Sequence, residues 1–341
     1  MRAERAIAVI LRSAASSVTP VLACALLLLA SPRGVGSRTE RVILLPKLHA
    51  GQTVTYEMRF RLDKNITTQS TVVSPLGPSG EQINVTGLLR VNVIEVQGAG
   101  GRAVIHARTQ FETPNSGTAL TVPEAEPSPG GVHRADPKGQ IVEFTIAGDG
   151  RVGDVKGLDA LIPEQQHAWG EWVSLFAMAA AFPEKGVKRG EKWESDEPEK
   201  SAAPIGGLVW LKRSSYVRDE PCAAAQLTMG GHTNEADGSH ETCAVILTTA
   251  ALKQESSRKN ATPGDFKLHE LQTMGTARGT NQVIAYISLK TGLVVRATEE
   301  ASQSMDVVVA KTDGTNRVRY NVDAKSNSEV LLVEEMPLIH P

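Results

Sequence analysis

The sequence has little aromatic residue content, few cysteines, no long apolar run in its body and no surplus of either charge. Trp, Tyr and Phe together make 4% of 341 residues. A core short of rings must be built from small and β-branched side chains, and those suit pleated surfaces. The formal net charge is only -2, with acidic and basic residues interspersed. That balance excludes a nucleic acid or anionic membrane bound through a broad basic face. Three cysteines without C-x-x-C spacing exclude the common zinc modules and a thioredoxin-type redox site. G-x-S-x-G is absent, and His269-Glu270 lacks the second histidine of a zinc-protease helix because Thr273 stands there. No catalytic constellation is read, and no cofactor is expected.

What is present begins with a leader. Arg2, Arg5 and Arg12 precede the ten-residue apolar run Val21–Ala30, which Ser31, Pro32 and Gly34 break. That order is a secretory signal or an N-terminal anchor over residues 1–40, followed by an exported body over 41–341 with sub-lobes at 41–198 and 199–341. A run this short falls below the roughly 20 residues that cross a bilayer. The lipobox-like Val21-Leu22-Ala23-Cys24 is disfavoured because leucines continue after the cysteine. Removing the leader removes Cys24 and leaves Cys222 and Cys243, a lone pair that bonds in an oxidising compartment. The expected location is therefore periplasmic or extracellular.

The body reads as strands. Val54, Tyr56, Met58, Phe60 and Leu62 alternate with polar residues, the period of a half-buried strand. Leu89, Val91 and Val93 repeat this before Ile94 and Val96 shift phase, as at a bulge. Ala103–Phe111 completes a hairpin, 112–140 is a Pro-rich loop, and Val142, Phe144 and Ile146 form another strand. Gly148-Asp149-Gly150-Arg151-Val152-Gly153 matches G-x-G-x-x-G, but no helix opens inside it, so it is a hairpin turn rather than a dinucleotide site. Trp169, Trp172, Val173, Phe176 and Ala180 fall on one helical face between Pro163 and Pro183.

A loop is expected over Val187–Lys200, then strands over Leu208–Val217, Ala224–Met229 and Thr242–Leu252, with Asp237-Gly238 as a hairpin turn. A meander follows: Val283–Leu289, Val294–Glu299, Met305–Val309, Arg317–Val322 and Val330–Glu334. The stretches 144–157 and 286–298 echo each other, each running strand, turn, Gly-x-Val, strand. Between the cysteines, His232, Glu235, Asp237 and His240 carry metal-ligating atoms at a spacing that fits no zinc motif, so no metal site is assigned. Glu299-Glu300 and Glu334-Glu335 lie in strands, where neighbours point to opposite faces and cannot share a proton. Solvated edge charge accounts for them best.

Three segments carry a resemblance: Gly51-Gln52-x-x-x-Tyr56, Pro183…Val187-x-x-Gly190-x-x-Trp193, and Tyr286…Thr291-Gly292-Leu293-Val294. In layout the chain resembles uncharacterised exported bacterial proteins and the LolA/LolB-like lipoprotein-carrier superfamily. The resemblance implies a mainly β fold, a curved antiparallel half-barrel sheet over one packed α-helix. It also implies an apolar concave face that holds a lipid or other apolar small molecule. The candidate lining is Tyr56, Met58 and Phe60 from the first strand with Trp172 and Phe176 from the helix. The other expectation is a structural or interaction module whose core is filled and whose partner is an envelope protein.

Overall fold

The alternation that opens the body becomes strand β1, Thr53–Ser70. Val54, Tyr56, Met58 and Phe60 turn inward and are buried, while Arg59 and Arg61 stand on the outer face. A computed structural model describes residues 40–71, 79–98, 104–112, 141–199, 203–227 and 241–336. Residues Arg38–Pro341 form one compact unit. The leader, the Pro-rich loop and the His232–His240 cluster lie outside the described residues, as do the Asp237-Gly238 turn and the turn after Gly98.

From β1 the chain walks outward through β2 (Ser79–Gln97), β3 (Val104–Glu112), β4 (Ile141–Ile146) and β5 (Val152–Lys156). Helix α1 (Pro163–Phe176) then carries it to the opposite edge. It returns by β6 (Lys192–Pro198), β7 (Leu208–Pro221), β8 (Thr242–Gln254), β9 (Leu271–Ser288), β10 (Val294–Lys311) and β11 (Val318–Met336), which pairs with β1. Among the described residues the result is one eleven-stranded antiparallel sheet, order β5-β4-β3-β2-β1-β11-β10-β9-β8-β7-β6, not closed into a barrel. The expected mainly β fold with a helix packed on an antiparallel sheet is what forms. The phase shift at Ile94 is a register shift between Val93 and Glu95 against β3. The G-x-G-x-x-G stretch is the turn between β4 and β5.

The sheet must curl. Eleven strands laid flat would hold β5 and β6 roughly 48 Å apart. Yet a Cβ on Gly150, in the β4–β5 turn, would lie 3.5 Å from the Ala180 backbone nitrogen. Two residues on, Phe182 packs on Trp193 of β6 with ring centroids 5.0 Å apart. Two residues span at most about 7 Å, so both edges approach the single turn Met178–Ala181 that follows α1. The opening segment seals the same end. A Cβ on Gly150 would lie 2.7 Å from Leu45, and one on Gly292, in the β9–β10 turn, would lie 1.9 Å from the Leu45 carbonyl oxygen. The two echoing turns thus close on one residue.

Several elements differ from expectation, each for a local reason. The Val187–Lys200 loop contains β6, an edge strand with Trp193, Ser195 and Glu197 half-buried and Glu194 and Asp196 exposed. Charge on the outer face of a short edge hides its periodicity. Of the expected strand Ala224–Met229, the described part to Leu227 is helical: Cys222–Leu227 is the short helix α2, favoured by three successive alanines. Met305–Val309 and Val294–Glu299 are one strand, β10, and the last two meander strands are one strand, β11. Polar runs such as Ser302-Gln303-Ser304 stay extended because neighbours on both sides hold the ladder. Strand β9 begins at Leu271, well before the apolar run. Helix α1 stops at Phe176, and Ala180 falls in the tighter turn beyond it.

Cys222 and Cys243 are disulfide-bonded, their Cα atoms 5.0 Å apart. The bond ties α2 to β8 on the sheet face opposite α1. Arg296, whose guanidinium pairs with Glu329 at 2.7 Å, also donates to the Ala225 carbonyl oxygen at 3.4 Å. The short helix is held there by the disulfide, by burial of Cys222 and Ala225, and by the Arg296 hydrogen bond.

Candidate functional site

Helix α1 begins with Pro163 at its first position, where a missing N–H costs nothing. Its stripe Ala168, Trp169, Trp172, Leu175 and Phe176 is buried. Trp172 stacks on Phe176 at 4.8 Å and meets Tyr56 edge-on at 6.0 Å and Phe144 at 6.1 Å. The Trp169 indole N–H donates to Thr109 Oγ1 at 2.8 Å. The structure therefore brings the five sequence-predicted lining residues together: Tyr56, Met58, Phe60, Trp172 and Phe176 are all no more than 3% exposed. They fill the space beneath the helix.

Beyond the helix the inner face continues. On β1, Leu62 and Ile66 sit across from Ser326 and Val322 of β11. On β10, Ala301 faces Ser326, Gln303 faces Ala324 and Met305 faces Val322. These side chains are half-buried, whereas their outward neighbours Arg61, Asn65 and Asn327 are exposed. Small residues (Ala301 on β10, Ala324 on β11) make this stretch a shallow trough, while on β9 Gly279 lies under the Trp210 ring, 2.9 Å from where its Cβ would be. A second apolar cluster, Ile205, Leu208, Leu252, Ala261, Ala277 and Val307, bounds it at the far end.

Between helix and trough lies a buried polar cluster. Glu171 borders the buried stripe of α1, three residues after Ala168 and four before Leu175, and is half-buried. Opposite it, on the inner face of β10, is Glu299, 7% exposed. The Ser328 hydroxyl of β11 donates to Glu171 Oε2 at 3.3 Å, and the Asn281 amide of β9 donates to Glu299 Oε1. Glu299 Oε2 is buried without a donor unless Glu171 carries a proton. Burial first, then the Glu299 charge, pushes the Glu171 carboxyl up to about 7. Burial also raises Glu299, against the Asn281 hydrogen bond and the Lys212 charge, which lower it. Lys212 of β7 pairs with Glu197 of β6. Two carboxyl groups sharing one proton are the arrangement the cluster supports.

Solvated edge charge is thus wrong for Glu299. Glu299 and Glu300 do point to opposite faces, but Glu299 finds its carboxyl partner on the helix, far away in sequence. The signal was available: Val295, Ala297 and Glu299 share one alternating register, so a charge stands where the pattern demands an apolar residue. The side chains of Glu334 and Glu335 lie outside the described residues. So do His232, Glu235, Asp237 and His240, and no other group of three or more metal-ligating side chains gathers among the described residues. No described helix is long and apolar enough to cross a membrane.

No protein-family model matches the chain, and no curated protein matches it in sequence. Among solved structures it is similar to a lipid–protein complex of lipovitellin, at 12% identity and TM-score 0.37, over 86% of this chain and 26% of that one. It is also similar to a candidate lipoprotein from Parabacteroides distasonis, at 9% identity and TM-score 0.27, over 87% of this chain and 100% of that one. The chain thus spans about a quarter of the lipovitellin chain. The functional reading rests instead on the chain's own residues.

Proposed function

We propose that this is an exported, non-enzymatic binding protein of the cell envelope that holds an apolar ligand, such as a lipid acyl chain, in the trough beyond α1. The carrying observation is the half-exposed inner face of β1, β10 and β11, with Leu62, Ile66, Met305 and Val322 around a floor of small residues. Apolar surface left open between two packed clusters favours an apolar occupant. Tyr56, Met58, Phe60, Trp172 and Phe176 then form the closed end of the trough, and ligand contact with them requires the helix to shift. The charged leader and the disulfide support export to an oxidising compartment.

The test is organic extraction and mass spectrometry of the purified protein, beside Ala301→Trp and Ala324→Trp, which fill the floor. Co-purifying lipid in the wild type, lost in both variants at unchanged circular dichroism, supports the reading. Lipid-free wild type that also takes up no fatty acid or phospholipid from vesicles refutes it. The filled core beneath the helix favours the second reading, an interaction module of the envelope, and that result would leave it standing.

A further inference from the structure

The helix is fastened to the sheet at two unlike places. Its aromatic face is held by Trp169, Trp172 and Phe176. Its other anchor is Glu171 on Glu299 and Ser328. Two ionised carboxylates cannot sit against one another out of water, so a cation must lie between them. The donors already present fit a proton and not a metal ion: Ser328 points its hydroxyl at one carboxyl group, Asn281 points its amide at the other, and each would have to turn away from a metal.

We propose that Glu171 and Glu299 form a one-proton latch between α1 and the sheet, and that losing the proton loosens the helix locally while the sheet stays folded. This inference does not depend on what the trough holds.

The surroundings decide where the latch operates. From β7, Lys212 favours ionised Glu299. From β6 and the residues after it, Glu197 and Glu199 add negative charge that opposes ionisation. From β9 and β11 come only the neutral donors Asn281 and Ser328. On α1 itself His167 stands one turn before Glu171 and is exposed. At Glu171, burial and then the Glu299 charge outweigh the Ser328 hydrogen bond and bring the carboxyl to about 7, within reach of ordinary changes in external pH. Glu299 lies at the border of the helix-covered core: Ala297, the inner residue before it, is fully buried, and Ala301, the one after it, is half-exposed. Loosening α1 there frees the closed end of the trough.

Hydrogen exchange of the full chain, followed by mass spectrometry between about pH 5.5 and pH 8.5 and corrected for intrinsic rates, tests the latch. Peptides of α1 should lose protection by about 10- to 100-fold across this range, while β1 and β2 hold theirs. Glu171→Gln, whose amide can donate to Glu299 Oε2, should keep the acid-side protection throughout. Glu299→Gln is the second variant and should do the same. Infrared spectra add an independent readout: a protonated-carboxyl band that fades over the same range in wild type and is missing from both variants. Wild-type α1 protection that tracks the sheet at every pH overturns the proposal. So does pH dependence kept in both variants, or protection that a chelator abolishes, which would put a metal ion where the proton is placed.

Discussion

Replacing Glu171 by Gln should make the protein more stable at neutral pH and leave it unchanged in acid. The magnitude comes from the carboxyl's position between sheet and helix. Its pKa is raised from 4.5 to about 7, mainly by burial. Below about pH 4.5 the folded and unfolded chains both carry the proton, and the group has no effect on stability. Between there and about pH 7 the folded chain keeps a proton that the unfolded chain releases, so stability falls by about 1.4 kcal/mol per pH unit. Above about 7 the loss is complete, at about 3 kcal/mol before solvent screening of this half-buried group reduces it. Glutamine does not titrate and lacks this term.

Urea unfolding of both proteins at several values from about pH 4.5 to about pH 8 measures the difference directly. Acid-side groups such as Asp306, which Arg319 holds below its ordinary value, act in the opposite direction but lie far from Glu171. They cancel when the variant is subtracted from wild type at each pH. The expected difference grows from near zero to about 2–3 kcal/mol in favour of Glu171→Gln. A difference that stays flat, or that shrinks as pH rises, would show that the carboxyl is not protonated in the folded chain and refute the reasoning.

Four further outcomes follow from the geometry. Trp172→Ala removes a fully buried ring with four aromatic neighbours and should cost about 3–5 kcal/mol in denaturant titration, with loss of near-ultraviolet dichroism. Thr109→Val leaves the buried Trp169 indole N–H without its acceptor and should cost about 1–3 kcal/mol, readable in the same titration. Reducing Cys222–Cys243, which are 21 residues apart, should lower stability by about 3 kcal/mol in the chain-entropy model and raise exchange in α2 more than in α1. Gly275→Ala should destabilise through backbone strain, since that glycine has φ +153 and a Cβ would lie 2.3 Å from the Asp306 carbonyl oxygen; calorimetry should show a lower Tm with an unchanged fold.

Strands were legible wherever one face is buried and the other wet. Val54 to Phe60 and Leu89 to Val93 announce themselves because their alternation matches their burial. The second half of β1, from Asp63 to Ser70, does not, although it pairs on both sides for much of its length. Its inner residues, Lys64, Ile66, Thr68 and Ser70, run past the packed core; Lys64 pairs with Glu81, and only Ile66 is apolar, so no alternation shows. The same physics split β10 and β11 into pieces on paper: hydrophobic periodicity reports contact with a core, and these strands outrun theirs. Helix α2 failed for the converse reason. Its position is set by a disulfide, by Arg296 and by two buried residues, Cys222 and Ala225, too few to leave a periodic trace.

The candidate site divides along the same line. Tyr56, Met58, Phe60, Trp172 and Phe176 were found together because aromatic and apolar residues in phase must converge. Their convergence is complete enough that they pack on one another and leave no room for a ligand beneath the helix as it stands. The trough leaves little trace in the sequence because its floor is marked only by small side chains at inner positions, Ala301 and Ala324. Glu299 was visible as a misplaced charge, but a strand taken alone explains such a charge by calling it an edge. Only the pairing of β10 between β9 and β11 puts it in the middle of the sheet, and only the crossing of α1 supplies Glu171. A carboxylate in a buried register is therefore better read as a demand for a distant partner than as solvated surface, because desolvating it alone costs more than a small domain can spare.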